Sequence, residues 1–186
     1  MEAINSGKEI EKIFILKSMQ QFRTSELINL ATQFKIPFQF VPKEKLNRLT
    51  RQNHQGVVAM VSAVSFVDIE TLLPSIYESA KAPFFIILDK ITDVRNFGSI
   101  ARSAECAGVD AIIIPSRGSA MINADAVKTS SGALNNIPLC RAENLTETIL
   151  FLKNCGITVI GATEKSEFNY FLVEYNKPVA IIMGSE

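Results

Sequence analysis

The sequence predicts an α/β protein in two parts: a small N-terminal α/β unit, then a larger, mostly parallel sheet covered by helices. Three observations carry this. Ile- and Val-rich apolar runs recur at 84–88, 111–114, 157–160 and 179–183. Helical patterns near 97–107, 123–130 and 145–154 alternate with them. Continuous apolar strands separated by helices build parallel sheets buried on both faces. Finally, 47% of the 186 residues are hydrophobic, enough for one medium core or two small ones.

The elements follow in order. Ile10 to Lys17 (IEKIFILK) alternates apolar and polar residues, as a half-buried strand does. Thr24 or Ser25 is placed to cap a helix through Leu27, Ile28, Leu30, Ala31 and Phe34. Pro37 starts the short strand PFQFV, and Gly56 opens the apolar run GVVAMVSAV. Asp68 to Ala82 is expected as a helix or linker, with Pro74 as a kink or break. The expected partition is residues 1–65, a connecting helix over 66–83, and a sheet domain over 84–186. Within that domain Asn96 is placed to cap helix 97–107, Gly108 to stop it, and Asn144 to cap helix 145–154.

Composition narrows the chemistry. Nineteen basic residues balance nineteen acidic ones, with a pI near 6.6, so any nucleic acid must be held by a local patch. Cys106, Cys140 and Cys155 have no metal-ligand spacing, and their odd count with no signal-like segment favours free thiols in the cytoplasm. No apolar run approaches the roughly 20 residues of a membrane helix. Asp89 and Asp93 lack further ligating neighbours and are expected as loop caps, so no metal site is predicted. Neither G-x-G-x-x-G nor a phosphate-binding lysine motif is present, which gives little support to a nicotinamide or nucleoside-triphosphate enzyme.

Two segments gather polar chemistry. In 88–115, LDKITDVRNFGSIARSAECAGVDAIIIP, polar residues cluster where a strand delivers the chain to a helix. In open α/β sheets ligands bind at that edge. Arg95 and Arg102 lie near the helix start, where the helix dipole disfavours cations, and an anionic partner would account for both. Two blander readings stand beside this one: Arg102 pairing with Glu105 on a helix surface, and Asn96 acting as a cap alone. In 42–56, Lys43, Lys45, Arg48 and Arg51 face only Glu44, with Lys35 nearby. This patch suits a phosphate backbone, or it is a solvated face. His54, the only histidine, lies within it, which argues against a histidine-based catalytic triad and for an RNA contact or a turn residue.

Asn96-Phe97-Gly98-Ser99-Ile100-Ala101-Arg102, with Ser103-Ala104 and Ala107-Gly108-Val109, resembles the first motif of the SpoU (TrmH-type) RNA 2′-O-ribose methyltransferases. Lys128-Thr129-Ser130-Ser131-Gly132-Ala133 with Pro138 is similar to that family's K-x-S-x-G-A-x₄-P stretch. Ile182-Met183-Gly184-Ser185-Glu186 resembles the opening of its second motif. The N-terminal region resembles that of the branch methylating a guanosine of bacterial 23S ribosomal RNA (RlmB-like).

The resemblance implies transfer of a methyl group from S-adenosylmethionine to a ribose 2′-hydroxyl of ribosomal RNA. It implies Asn96, Arg102 and Glu186 as the catalytic group, with Arg102 serving the hydroxyl and adjacent phosphate and Glu186 holding Asn96 and Arg102. It implies Gly184, Ala162 and Thr163 at the cofactor. Lys43, Lys45, Arg48, Arg51, His54 and Arg95 are expected to contact RNA. A homodimer without metal or membrane is implied, in a SPOUT fold whose C-terminal trefoil knot would be largely missing. Against the family pattern the sequence is expected to be shortened at both ends. Two alternatives stay open: an RNA-binding fragment or paralogue without catalytic competence, and an unrelated doubly wound small-molecule enzyme.

Overall fold

In the computed structural model, which describes residue 4, residues 9–19 and residues 21–184, contacts divide the chain into units 1–63 and 64–186. The first unit is built on a mixed sheet. Its central strand β1 (Ile10–Leu16) pairs parallel with β2 (Phe38–Val41) and antiparallel with β3 (Val57–Val61). Alternation divides β1 between two small cores. Ile13 and Ile15 pack with Leu27, Ile28, Leu30 and Ala31 of α1 (Gln21–Gln33), while Phe14 packs with Val41 and with Leu46 of α2 (Lys43–Leu49).

Two expectations for this unit are corrected. Neither Thr24 nor Ser25 caps α1, because the helix is already formed at Gln21 and Thr24 is buried inside it. The apolar run GVVAMVSAV is not one strand: β3 ends at Val61, and the chain re-enters sheet structure as β4 (Phe66–Val67) in the second unit.

The second unit contains β4, α3 (Ile69–Glu78), β5 (Phe84–Asp89), α4 (Val94–Cys106) and β6 (Ala111–Pro115). It continues with α5 (Ala124–Thr129), β7 (Leu139–Ala142), α6 (Leu145–Asn154), β8 (Thr158–Gly161) and β9 (Val179–Gly184). The six strands lie in the order β4-β7-β6-β5-β9-β8, and every pairing is parallel.

Successive residues of β5 serve opposite faces, as the pleat requires. Ile86 and Leu88 join Phe97, Ala101 and Ala104 of α4 and Ala126 of α5. Phe85 and Ile87 join Leu73 and Ile76 of α3 and Leu152 of α6. Helices thus cover both faces, which is why these strands read as unbroken apolar runs. Segment 66–83, expected to connect the two parts, contributes β4 and α3 to this layered unit. Asp68 caps α3 by accepting from Glu70 N–H, and Pro74 lies inside the helix without ending it. Strand β7, only four residues long, is absent from the sequence-based expectation.

Candidate functional site

The strand order reverses beside β5. The chain steps from β5 to β6 to β7 on one side, whereas β9 and β8 lie on the other. A reversal of this kind opens a crevice at the carboxyl ends of the strands, the usual ligand position in such sheets. Here the register pairs Asp89, the last residue of β5, with Gly184, the last residue of β9. Lys90 follows immediately in the left-handed region at φ 55°, a conformation costing a non-glycine residue about 1–2 kcal/mol. The loop then turns into α4.

Asp93 starts that helix. Its carboxylate accepts from Arg95 N–H and Asn96 N–H, each at 2.8 Å. Asn96 is therefore not the cap: the helix starts three residues earlier than expected, and the Asn96 side chain is released from that role. Asp93 also sets a negative charge at the positive end of the helix dipole. Gly108, at φ 73°, follows the last helical turn as expected, and Asn144 caps α6 through Thr146 N–H and Glu147 N–H.

Phe97, Gly98, Ala101 and Ala104 are the buried face of α4. Asn96 and Arg102 are both exposed. Six residues of helix separate them by roughly 120° around the axis and about 9 Å along it, so they occupy adjoining strips rather than one. Arg102 shares its strip with Arg95 and Ser99, at intervals of three and four residues. The surface pairing of Arg102 with Glu105 is not formed. Glu105 instead accepts from the side-chain amide of Asn136, across from the 3₁₀ turn Ala133–Asn135. Among the described residues, the Arg102 guanidinium and the Asn96 carboxamide have no hydrogen bond or ion pair. Glu186, the third member of the expected catalytic group, lies outside the described residues.

The remaining expected residues separate by unit. Ala162 follows β8 and donates its N–H to Ile182 O at 2.9 Å, which holds the start of the 162–163 segment against β9 just before Gly184. A Cβ on Gly184 would meet only Asp89 O, at 3.8 Å, so packing does not demand glycine there. An apolar groove of about 260 Å³ runs between α4 and β9, lined by Ser99, Ile100, Ser103 and Met183 among others; Asn96, Arg102 and Gly184 are not in its lining.

Lys43, Lys45 and Arg48 lie on α2 in the first unit and Arg51 just beyond it, all four exposed. The Lys45 ammonium sits 5.2 Å from the ring centre of Phe14, which steadies the side chain without neutralising it. His54 shapes its own turn: Nδ1 accepts from Gly56 N–H at 3.0 Å, and Nε2 lies 3.0 Å from Asn47 Oδ1. Nδ1 is thus the acceptor nitrogen and Nε2 the donor. No group of three or more His, Cys, Asp or Glu among the described residues could hold a metal ion, and no described helix is long and apolar enough to cross a membrane.

A parallel sheet with its reversal point beside Gly184, and an arginine and asparagine left unengaged by the described residues on the helix leaving that point, define a ligand-binding α/β domain joined to a cationic module. The chain belongs to the SpoU rRNA methylase family, whose model matches residues 83–186, and a model for RNA 2′-O ribose methyltransferase substrate binding matches residues 1–67. A Bacillus subtilis protein named in the TrmH family of tRNA/rRNA methyltransferases is 33% identical over 186 residues, covering 100% of this chain and 75% of its own length. A Staphylococcus saprophyticus protein so named is 36% identical over 185 residues, with 100% and 74% covered.

Two crystal structures share the fold. The SpoU methyltransferase AviRb of Streptomyces viridochromogenes, in complex with AdoMet, is 19% identical with a TM-score of 0.55, over 98% of this chain and 68% of that one. An AdoMet-bound rRNA methyltransferase of Sinorhizobium meliloti is 21% identical with a TM-score of 0.57, over 98% and 66%.

Proposed function

We propose that the protein transfers a methyl group from S-adenosylmethionine to a ribose 2′-hydroxyl of ribosomal RNA, with a guanosine of 23S rRNA as the target. The observation carrying this reading is Arg102, unpaired among the described residues on the helix that leaves the sheet-reversal point, with its neighbouring carboxylate Glu105 engaged by Asn136.

The residues present suit such a cofactor. The open backbone at Gly184, beside Asp89 and near the strand-following Ala162 and Thr163, leaves room for an adenosyl group to approach main-chain donors and acceptors. When bound beside Gly184, Ala162 and Thr163, S-adenosylmethionine would supply an electrophilic methyl carbon for the ribose 2′-oxygen, with S-adenosylhomocysteine as the leaving group and the hydroxyl proton going to water. The chain's own groups do the rest. The Arg102 guanidinium clamps the neighbouring phosphate and stabilises charge building on the 2′-oxygen. Asn96, freed from capping, orients Arg102 or Glu186. Arg95 adds a second cation on the Arg102 strip, so that the helix presents a short phosphate track.

RNA capture belongs to the first unit. Lys43, Lys45, Arg48 and Arg51 supply phosphate contacts, and His54 shapes the turn beside them. Segment 66–83, as β4 and α3, belongs to the layers of the methyl-transfer domain itself. A homodimer in the cytoplasm completes the reading; the free state of all three cysteines fits that compartment.

The test uses radiolabelled S-adenosylmethionine with 23S rRNA and with tRNA. Label is expected in rRNA, at a guanosine whose 3′ phosphodiester resists alkali because its 2′-oxygen is methylated. Alkali-labile label would move the methyl to a base, and label confined to tRNA would overturn the rRNA assignment. RNA binding with no transfer at saturating donor would leave only a binding protein.

A further inference from the structure

We infer that the outer edge of β2 is a stacking platform for single-stranded RNA, with Phe38 and Phe40 receiving unpaired nucleobases; this rests on the RNA-directed reading above. Three phenylalanines within seven residues are exposed: Phe38 at 37% and Phe40 at 40% on β2, and Phe34 at 52% in the turn that follows α1. Their spacing explains part of this. Phe38 and Phe40 pair in register with Ile13 and Ile15, and so point to the face that α1 covers. Ile13 and Ile15 are sealed beneath α1, whereas the two phenylalanines sit one strand further out, on the edge of the sheet. Their rings meet edge to face, with centroids 6.1 Å apart, and make a notch in which a base on one ring abuts the edge of the other.

Core packing does not account for large apolar side chains in this position. An edge strand with apolar exposure invites pairing with another chain, and proteins ordinarily blunt it. The charges around the strand decide which occupant fits. Lys35 precedes β2 and Lys43 follows it, both exposed, and residues 1–63 contain nine Lys and Arg against five Asp and Glu. Residues 64–186 have the opposite balance, ten against fourteen. A second copy paired antiparallel along β2 would bring Lys35 of one chain toward Lys43 of the other, which like charge opposes. A polyanion with flat apolar faces satisfies both features: phosphates meet the lysines and bases meet the rings. Aromatic rings beside a cationic track are the general means of holding single strands, and they tolerate many sequences because every base offers a face.

The experiment measures binding of short oligouridylate, and of an RNA duplex of equal length, to the full chain. Phe38→Leu and Phe40→Leu keep an apolar residue in the strand and remove the ring. Each is expected to weaken oligouridylate binding roughly tenfold, to leave duplex binding unchanged, and to leave the salt slope unchanged because no charge is lost. The chain contains no tryptophan, so Phe40→Trp introduces a single reporter. Its indole emission is expected to be quenched as oligouridylate binds, because tryptophan keeps an aromatic face on which a base can stack. Wild-type affinity in both leucine variants, or unquenched indole emission from Phe40→Trp with RNA bound, would overturn the platform. If removing the α2 cations still weakened binding in that case, the RNA reading would stand without it. A concentration-dependent dimer abolished by Phe38→Leu would instead assign the edge to a second copy. Failure to bind any RNA would remove both proposals.

Discussion

Gly98 of α4 lies so close to Thr129 of α5 that a Cβ at position 98 would come within 2.5 Å of Thr129 Oγ1 and 2.8 Å of its Cβ. The same atom would lie 2.9 Å from the backbone nitrogen of Ser130. Two sequence stretches that share a family resemblance, 96–102 and 128–133, are thus locked face to face. The hydroxyl of Thr129 donates to Asp125 O at 2.6 Å within its own helix and also lies 3.4 Å from Val94 O, the first residue of α4. The helix carrying Arg102 is fixed by that contact as well as by its apolar face.

Gly98→Ala should therefore destabilise the protein, although alanine is the better helix former by about 0.8–1 kcal/mol. Overpacking costs about 1–3 kcal/mol, and one of the atoms in the way is backbone, which cannot rotate aside. A net loss of roughly 1–2 kcal/mol is expected, read as a lower urea midpoint. Thr129→Ser should not rescue the variant, because the clash with the residue-129 Cβ remains. A Gly98→Ala protein as stable as the parent would show that the two helices can separate freely.

Arg102→Ala should remove methyl transfer by about 100-fold or more, the scale for loss of a donor to developing negative charge. Its stability should change by less than about 0.5 kcal/mol, since the side chain is exposed and makes no hydrogen bond or ion pair among the described residues. Glu105→Gln tests the adjoining contact. It removes a charge but keeps an acceptor for Asn136, so turnover should stay near the parent value. Loss of turnover in Glu105→Gln would mean that this carboxylate, and not only Arg102, takes part.

The legible parts of this protein are those fixed by local pattern. Strand β5, helix α4, strand β6 and helix α6 follow from apolar runs and helix stops, and Asn144 caps as its spacing predicts. Asn96 reads as a cap in the sequence because Asp93 and Asn96 are both good cap residues. Asp93 takes the role, its carboxylate accepting from Arg95 N–H and Asn96 N–H, so the helix begins at Val94. Strands β4 and β7, two and four residues long, exist because a neighbouring strand offers them partners, which no local window contains. Strand order is likewise non-local: PFQFV is visible as a strand, but its position at the sheet edge, and the exposure of Phe38 and Phe40, come only from the fold. The pairing of Asp89 with Gly184 spans almost a hundred residues and has no signal in either segment alone.

Replacing Lys43, Arg48 and Arg51 with glutamine should weaken RNA binding and flatten its dependence on salt. Each phosphate contact on a single strand contributes roughly 0.7 to the slope of log affinity against log salt, so losing three should reduce it by about 2. Folding should survive, because all three residues are exposed and Leu46, the buried residue of α2, is untouched. An unchanged slope would place the phosphates elsewhere on the protein.

Cys140 gives the stability a distinct alkaline limb. Burial in β7, with a smaller contribution from the Asp68 carboxylate, pushes its thiol up from 9.0 to about 12. The native state therefore keeps the proton between about pH 9 and 12, whereas the unfolded chain releases it. Across that window the unfolded state binds fewer protons, so stability falls as pH rises. Below pH 9 both states hold the proton and the thiol adds no pH dependence. Cys140→Ala is expected to be less stable at neutral pH by about 1 kcal/mol or more, from the space it leaves in the core. Its stability should decline less steeply above pH 9, so the gap to the parent narrows. Urea titrations of both proteins at a series of alkaline pH values measure that gap directly, and a constant gap would show that the thiol ionises alike in the folded and unfolded chains. Alkylation offers a separate reading at mild pH: exposed Cys106 should react in the native protein, and Cys140 only on unfolding.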